Sequence, residues 1–228
     1  YVVNSLVIIT GTGFISLCLG VSTAWVVSTC RFPMRKFFEW SLVLPLAIPT
    51  YIVAFAYAGI FDYTGKIQTW LRNSGLTFDI DVMNIQGIVF ILAFVLYPYV
   101  YVIARASFLQ RSRSMLEAGR LMGSSSWRTF FKISLPVARP AIIGGLSLVI
   151  MEVLNDYGAV KYYGVNTFTT GIFRAWFSLG DINAAVYLSA LLIITILVIM
   201  GIERWQRGQA RFDDEGQKKR KTTCKVSP

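Results

Sequence analysis

Residues 117–136 read EAGRLMGSSSWRTFFKISLP, a polar and basic stretch held between two long apolar runs. Ser114 precedes Glu117 by three residues, the spacing at which a serine N-cap and a glutamate exchange hydrogen bonds with each other's backbone. That predicts a helix over 114–122. Gly123 and the serines at 124, 125 and 126 then break it. A second helix from Trp127 brings Trp127, Phe130 and Phe131 near one another, until Leu135-Pro136 ends it. The expectation is a short helix-turn-helix at a membrane surface with a corner of small residues. Such a corner lets another protein approach the backbone closely. Leu116, Leu121, Met122, Trp127 and Phe130 are anchors of the kind that fill a partner's groove. Packing of the aromatic residues on the bilayer interface or in the chain's own core is the other reading. Gly119 and Gly123 make a GxxxG spacing, but outside the apolar runs, so it does not read as a transmembrane dimer face.

Outward from that stretch, the 228 residues are 55% hydrophobic, and the mean hydropathy is +0.57. The apolar residues are gathered in blocks close to the length that crosses a ~30 Å hydrocarbon core. An all-α polytopic transmembrane bundle of about five spans follows, over 2–29, 37–61, 86–108, 140–160 and 184–202. Pro45, Pro49 and Pro98 fall inside spans and predict kinks. The first block has no charged region before it and no cleavage-like end, so it is not read as a secretory signal. The chain opens at Tyr1 inside an apolar run, and further residues upstream are expected.

Charge sets the sidedness. Arg31, Arg35 and Lys36 lie in one set of loops with Arg105, Arg111, Arg113, Arg120, Arg128, Lys132 and Arg139, and the tail after 203 adds a further basic run. The alternate loops hold only Lys66, Arg72, Lys161 and Arg174. By the positive-inside rule residues 105–139 and the tail are cytoplasmic, and Tyr1 is outside. The chain divides into a transmembrane domain, 1–203, and a tail, 204–228, ending QKKRKTTCKVSP. The tail is expected to be disordered and to lie on anionic lipid headgroups rather than nucleic acid.

There is no histidine, and the three cysteines make no C-x-x-C. Most zinc sites and all Ser-His or Cys-His pairs are thereby excluded, and an enzyme is not expected. A phosphate-cradling loop needs Gly-x-x-x-x-Gly-Lys-Ser/Thr, whereas the only Gly-Lys pair, Gly65-Lys66, has Ile60 and Ile67 at the other two places. No cofactor is expected in this chain. In the fourth span Glu152 and Asp156 stand one turn apart with Asn155 between them, at depths of roughly 18 and 24 Å from Pro140. Ionisable groups at such depth mark a translocation pathway, and paired carboxylates suit a cation, although no metal site is fixed by them. The alternatives are hydrogen-bonded packing groups or the outer interface. Glu39, beside Arg35 and Lys36, reads as a surface ion pair.

Glu117, Ala118, Gly119, Gly123, Ile133, Leu135 and Pro136 keep the spacing Glu-Ala-Ala, three residues, Gly, nine residues, Ile-x-Leu-Pro. The stretch resembles the cytoplasmic "EAA" loop of ABC-importer permeases, with Gly119 where that family usually has Ala. The resemblance implies that those residues form a coupling helix docking on a cytoplasmic ATPase dimer, which carries ATP and Mg. It implies an inner-membrane location, a second permease half or subunit, and a periplasmic substrate-binding protein. Residues 151–185, MEVLNDYGAVKYYGVNTFTTGIFRAWFSLGDINAA, resemble the ferric-iron permeases in particular, and the C-terminal half of a two-half chain. Thiamine permeases share the plan. In the outer stretch 167–180, Arg174 is a candidate contact for the binding protein, and Trp176 and Phe177 are candidates for an aromatic belt. A secondary transporter or channel is the competing reading and would need ion sites in broken helices.

Overall fold

A computed structural model describes residues 1–30, 32–61, 65–74, 81–121 and 126–222, with the side chains of 66, 71, 110–121, 126, 133 and 206–222 left undescribed. The helices are α1 (Val2–Thr29), α2 (Arg35–Ser41), α3 (Thr50–Phe61), α4 (Lys66–Asn73), α5 (Ile85–Leu121), α6 (Ser126–Thr129), α7 (Leu135–Asn155), α8 (Gly158–Tyr162), α9 (Phe168–Phe173) and α10 (Ile182–Thr222). Among the described residues four helices are long and apolar enough to cross a membrane, or five if α2 and α3 are taken as one broken span.

The core is α5 clasped by α1 and α7. Leu92, Ala93, Val100 and Ala104 of α5 are fully buried. The clasp is tight because small residues let the backbones close. A Cβ on Gly20 of α1 would sit 2.7 Å from Val100 Cβ, and one on Gly145 of α7 would sit 2.9 Å from Val100 Cα. Within lipid, helix association rests on such close packing and on interhelical hydrogen bonds. The hydroxyls of Thr12 and Ser16 supply those bonds, donating to the carbonyls of Val89 (3.4 Å) and Ala93 (3.3 Å). α5 runs through Pro98 without interruption, and both neighbours pack around it.

The expected second span is not one helix. α2 ends at Ser41, a 3-10 turn covers Leu44–Ala47, and α3 leaves at 95°. The two prolines explain the break. Pro45 starts the 3-10 turn, and Ile48, before Pro49, is extended at φ −108°, ψ 125°, since the Pro49 ring disfavours the helical region for its predecessor. The fourth span also ends sooner than expected. α7 stops at Asn155, and Asp156 is extended at φ −67°, ψ 123°. Conversely, α10 passes the end of the apolar run and stays helical to Thr222, into the tail that composition reads as disordered. A helix already nucleated in the span propagates readily through Glu, Gln, Lys and Arg. Residues 223–228 lie outside the described part.

Candidate functional site

The elements meet at two opposite ends, and each end carries sequence-predicted residues. At the first, α1, α5 and α7 converge on the 117–136 segment. Glu117, Ala118 and Gly119 are in the helical backbone of α5. Ser114 is interior to the same helix, so the expected helix start there is replaced by one continuous helix from the membrane to Leu121. Gly123 lies outside the described residues, as do the side chains of Glu117, Ala118, Gly119 and Ile133.

After the undescribed 122–125, α6 leads into a π turn over Phe130–Ser134 and directly into α7. Leu135 and Pro136 therefore open a helix rather than close one. The wide turn accounts for this. Leu135 N–H reaches back to Phe130 carbonyl, and Pro136, which has no N–H to give, occupies a first-turn position where none is needed. The aromatic residues divide. Phe130 is buried against Trp25 of α1 (ring centroids 4.9 Å), and Trp25 also meets Phe108 of α5 edge-on at 5.5 Å. Trp127 and Phe131 stay exposed and stack on each other at 6.1 Å. So Phe130 anchors the segment to its own core, and Trp127 remains available to a partner.

The same end holds a charged junction. Glu39 of α2 accepts from Arg105 Nη2 of α5 at 2.9 Å and from Arg35 Nε at 3.2 Å. Tyr101 hydroxyl donates to the Glu39 carbonyl at 3.4 Å. The expected local pair Arg35–Glu39 is present, and Lys36 is not part of it. Arg105 stands about three helical turns before Glu117, and in the sequence it reads only as loop charge.

At the second end the carboxylates separate. Glu152 is exposed and accepts from Tyr99 hydroxyl at 3.2 Å, and Asn155 Nδ2 donates to its own helix at the Met151 carbonyl (3.0 Å). Asp156 is a structural knot. Its Oδ2 accepts from Thr50 Oγ1 at 2.6 Å, and its Oδ1 accepts the amides of Ala159 (2.9 Å) and Val160 (3.3 Å) at the start of α8. Its carbonyl accepts from Thr169 Oγ1 at 2.8 Å. One aspartate thus joins the ends of α7, α3, α8 and α9. The expected cation pair on one helix face does not form, because the helix ends before Asp156 and turns that carboxylate toward α3 and α8. Among the described residues no group of three or more acidic, histidine or cysteine side chains could hold a metal ion.

Arg174 is exposed, at the start of a π turn over Arg174–Ser178 that follows α9. It lines an open cavity of ≈ 590 Å³ together with Lys161, Tyr157, Phe173 and Phe177. Trp176 and Phe177 also line an apolar groove against α10. The ends differ in charge as the loops predicted: Arg35, Arg105 and Arg139 are at the first end, Lys161 and Arg174 at the second.

Comparison with known proteins adds to this geometry. The family described as binding-protein-dependent transport system inner membrane component matches residues 16–211. The Fe(3+)-transport system permease protein FbpB 2 of Haemophilus influenzae is 29% identical over 89% of this chain and 36% of its own length. The sulfate transport system permease protein CysT of Escherichia coli is 30% identical over 64% of this chain and 52% of its own length. The molybdate/tungstate transport system permease protein WtpB of Pyrococcus abyssi is 27% identical over 91% of this chain and 78% of its own length. This chain thus spans only about a third to a half of the first two. In fold it is similar to the MetNI methionine ABC transporter in an inward-facing conformation (TM-score 0.70, 14% identity, 92% of this chain and 94% of that one). It is also similar to a bacterial alginate ABC transporter (TM-score 0.72, 18% identity, 88% and 74%).

Proposed function

We propose a transport role from one premise: the chain belongs to the family of binding-protein-dependent transport system inner membrane components. In this reading it is a permease part of an ATP-driven importer that moves its substrate by alternating access. A separate cytoplasmic ATPase dimer holds ATP and Mg, a second permease half or subunit completes the pore, and a periplasmic protein delivers the substrate. The basic end faces the cytoplasm, with the tail against lipid headgroups. Glu117, Ala118, Gly119, Gly123, Ile133, Leu135 and Pro136 engage the ATPase.

The observation that carries this reading is where the 117–136 segment is attached. It leaves α5 and enters α7, two members of the central clasp, and Phe130 pins it to Trp25 of the third. A displacement of the segment by a closing ATPase therefore reaches all three core helices.

For substrate, ferric iron is the first reading, supported by the 151–185 run and by the match to an iron permease along 89% of this chain. A tetrahedral oxyanion is the second. Relatives named for sulfate and molybdate favour it, as does an outer cavity lined by Lys161 and Arg174 with no acidic residue among the described ones. Arg174 is the proposed contact for the binding protein. The test is gentle purification of the tagged parent protein with identification of what accompanies it, followed by uptake of radiolabelled ferric ion, sulfate and molybdate into intact cells. An accompanying ATPase is the expected result; its absence under conditions that preserve a control importer returns the chain to the secondary-transporter reading.

A further inference from the structure

The cavity at the second end, which favours the oxyanion reading above, gathers positive charge at one place. Its walls come from α8, α9 and the π turn after α9, and among the described residues they hold Lys161 and Arg174 with no aspartate or glutamate. Neither cation has an ion pair among the described residues. Asp156, the carboxylate nearest Lys161 in sequence, accepts from Thr50 and two amides, and Asp181, the one nearest Arg174, accepts the Ala184 amide; neither forms an ion pair with these cations among the described residues. The positive-inside bias leaves this side of the chain only Lys66, Arg72, Lys161 and Arg174, and two of these four share one cavity.

The cavity is also built rather than incidental. Tyr157 lies flat on Phe173 at 3.9 Å and 20°, and Phe173 continues to Phe177 at 5.8 Å and 24°. That pile makes an apolar wall, beside which a charge attracts its counter-ion more strongly than in open water. Lys161 sits in the last turn of α8. Its carbonyl accepts from Gly164 N–H at 3.1 Å, and Gly164 reverses the chain at φ +68°, a conformation that favours glycine. The next stretch is held to α1 where Asn4 Nδ2 donates to the Asn166 carbonyl at 3.1 Å.

We propose that this cavity binds an oxygen-rich anionic group, a carboxylate or a tetrahedral oxyanion, between Lys161 and Arg174. Two sources share that chemistry: an acidic side chain of the binding protein, which rests on the transport reading above, and a free anion entering the pathway. The complete transporter, held in lipid nanodiscs, is titrated with sulfate, molybdate and citrate, and separately with the binding protein recovered with it. The neutral double variant Lys161→Met/Arg174→Met is compared with the charge-keeping Lys161→Arg/Arg174→Lys. Both positions are exposed, so folding is not at stake.

Loss of about tenfold in free-anion affinity in the neutral variant, and retention in the charge-keeping one, assigns the site to a free anion. The same loss confined to binding-protein docking, and weakened by salt, assigns it to a partner carboxylate. No anion binding, with docking unchanged or undetected, overturns the proposal. ATPase capture, which neither variant should alter, reports separately on the transport reading.

Discussion

Thr50 Oγ1 donates to Asp156 Oδ2 across 2.6 Å, joining the first residue of α3 to the residue that ends α7. The bond spans 106 residues of sequence and holds the elbow after Pro49 against the outer end of the core. It makes Asp156 a fastening for α3, α7, α8 and α9 rather than one half of a cation site.

Asp156→Ala should therefore cost stability. It removes three accepted hydrogen bonds and leaves the Ala159 and Val160 amides unsatisfied, an effect of about 2–3 kcal/mol. Asp156→Asn retains one carbonyl acceptor and should cost less, and Glu152→Gln, at an exposed position, should leave stability within about 0.5 kcal/mol. Thermal unfolding of the purified protein in detergent ranks the three. A Glu152→Gln loss as large as that of Asp156→Ala would contradict this assignment.

The junction at Glu39 predicts an unequal response in its two arginines. Arg105 pairs across helices at 2.9 Å, whereas Arg35 pairs within its own helix at i,i+4, a geometry worth a few tenths of a kcal/mol. Arg105→Gln should destabilise by about 1–2 kcal/mol and Arg35→Gln by less than about 0.5 kcal/mol. A double-mutant cycle on Glu39 and Arg105, read by denaturation, should return a coupling near 1 kcal/mol. Zero coupling would make the pair incidental.

Glycine substitutions separate packing from propensity. Gly145→Ala drives a Cβ to 2.9 Å from the Val100 backbone, which cannot yield as a side-chain tip can, and an overpacking cost of about 1–3 kcal/mol is expected. Gly59→Ala and Gly201→Ala, with nothing within 4 Å of the added atom, should be neutral or stabilising by about 0.5–1 kcal/mol. Equal melting temperatures for all three would mean that α7 does not approach α5 this closely.

Gly123→Asp should abolish capture of the ATPase while leaving the melting temperature unchanged. Trp127→Ala, at an exposed position, should weaken the same capture, whereas Phe130→Ala should lower stability by about 3 kcal/mol because that ring is packed on Trp25. ATPase capture unaffected by both Gly123→Asp and Trp127→Ala would remove the coupling role from this segment.

Features that depend on neighbours along the chain are legible in the amino-acid sequence. Runs of apolar residues long enough for a bilayer mark α1, α5, α7 and α10, and the uneven Lys and Arg content separates the two ends. The spacing from Glu117 to Pro136 marks the segment between α5 and α7 and identifies it with a family, because each of these signals is carried by residues close in sequence.

The rest depends on how distant segments pack. Pro45 and Pro49 announce a disturbance, but a 95° elbow rather than a kink needs somewhere to fasten, and Thr50 finds that at Asp156. Phe130 and Trp127 read alike in a basic helix. The π turn and the position of Trp25 send one inward and leave the other out. Glu152 and Asp156 share a face only if the helix continues between them, and it ends at Asn155. Lys161 and Arg174 are two separate charges in the sequence until α8 and α9 fold onto the same cavity. In each case the outcome is set by packing between segments far apart in sequence, which local periodicity and spacing do not encode.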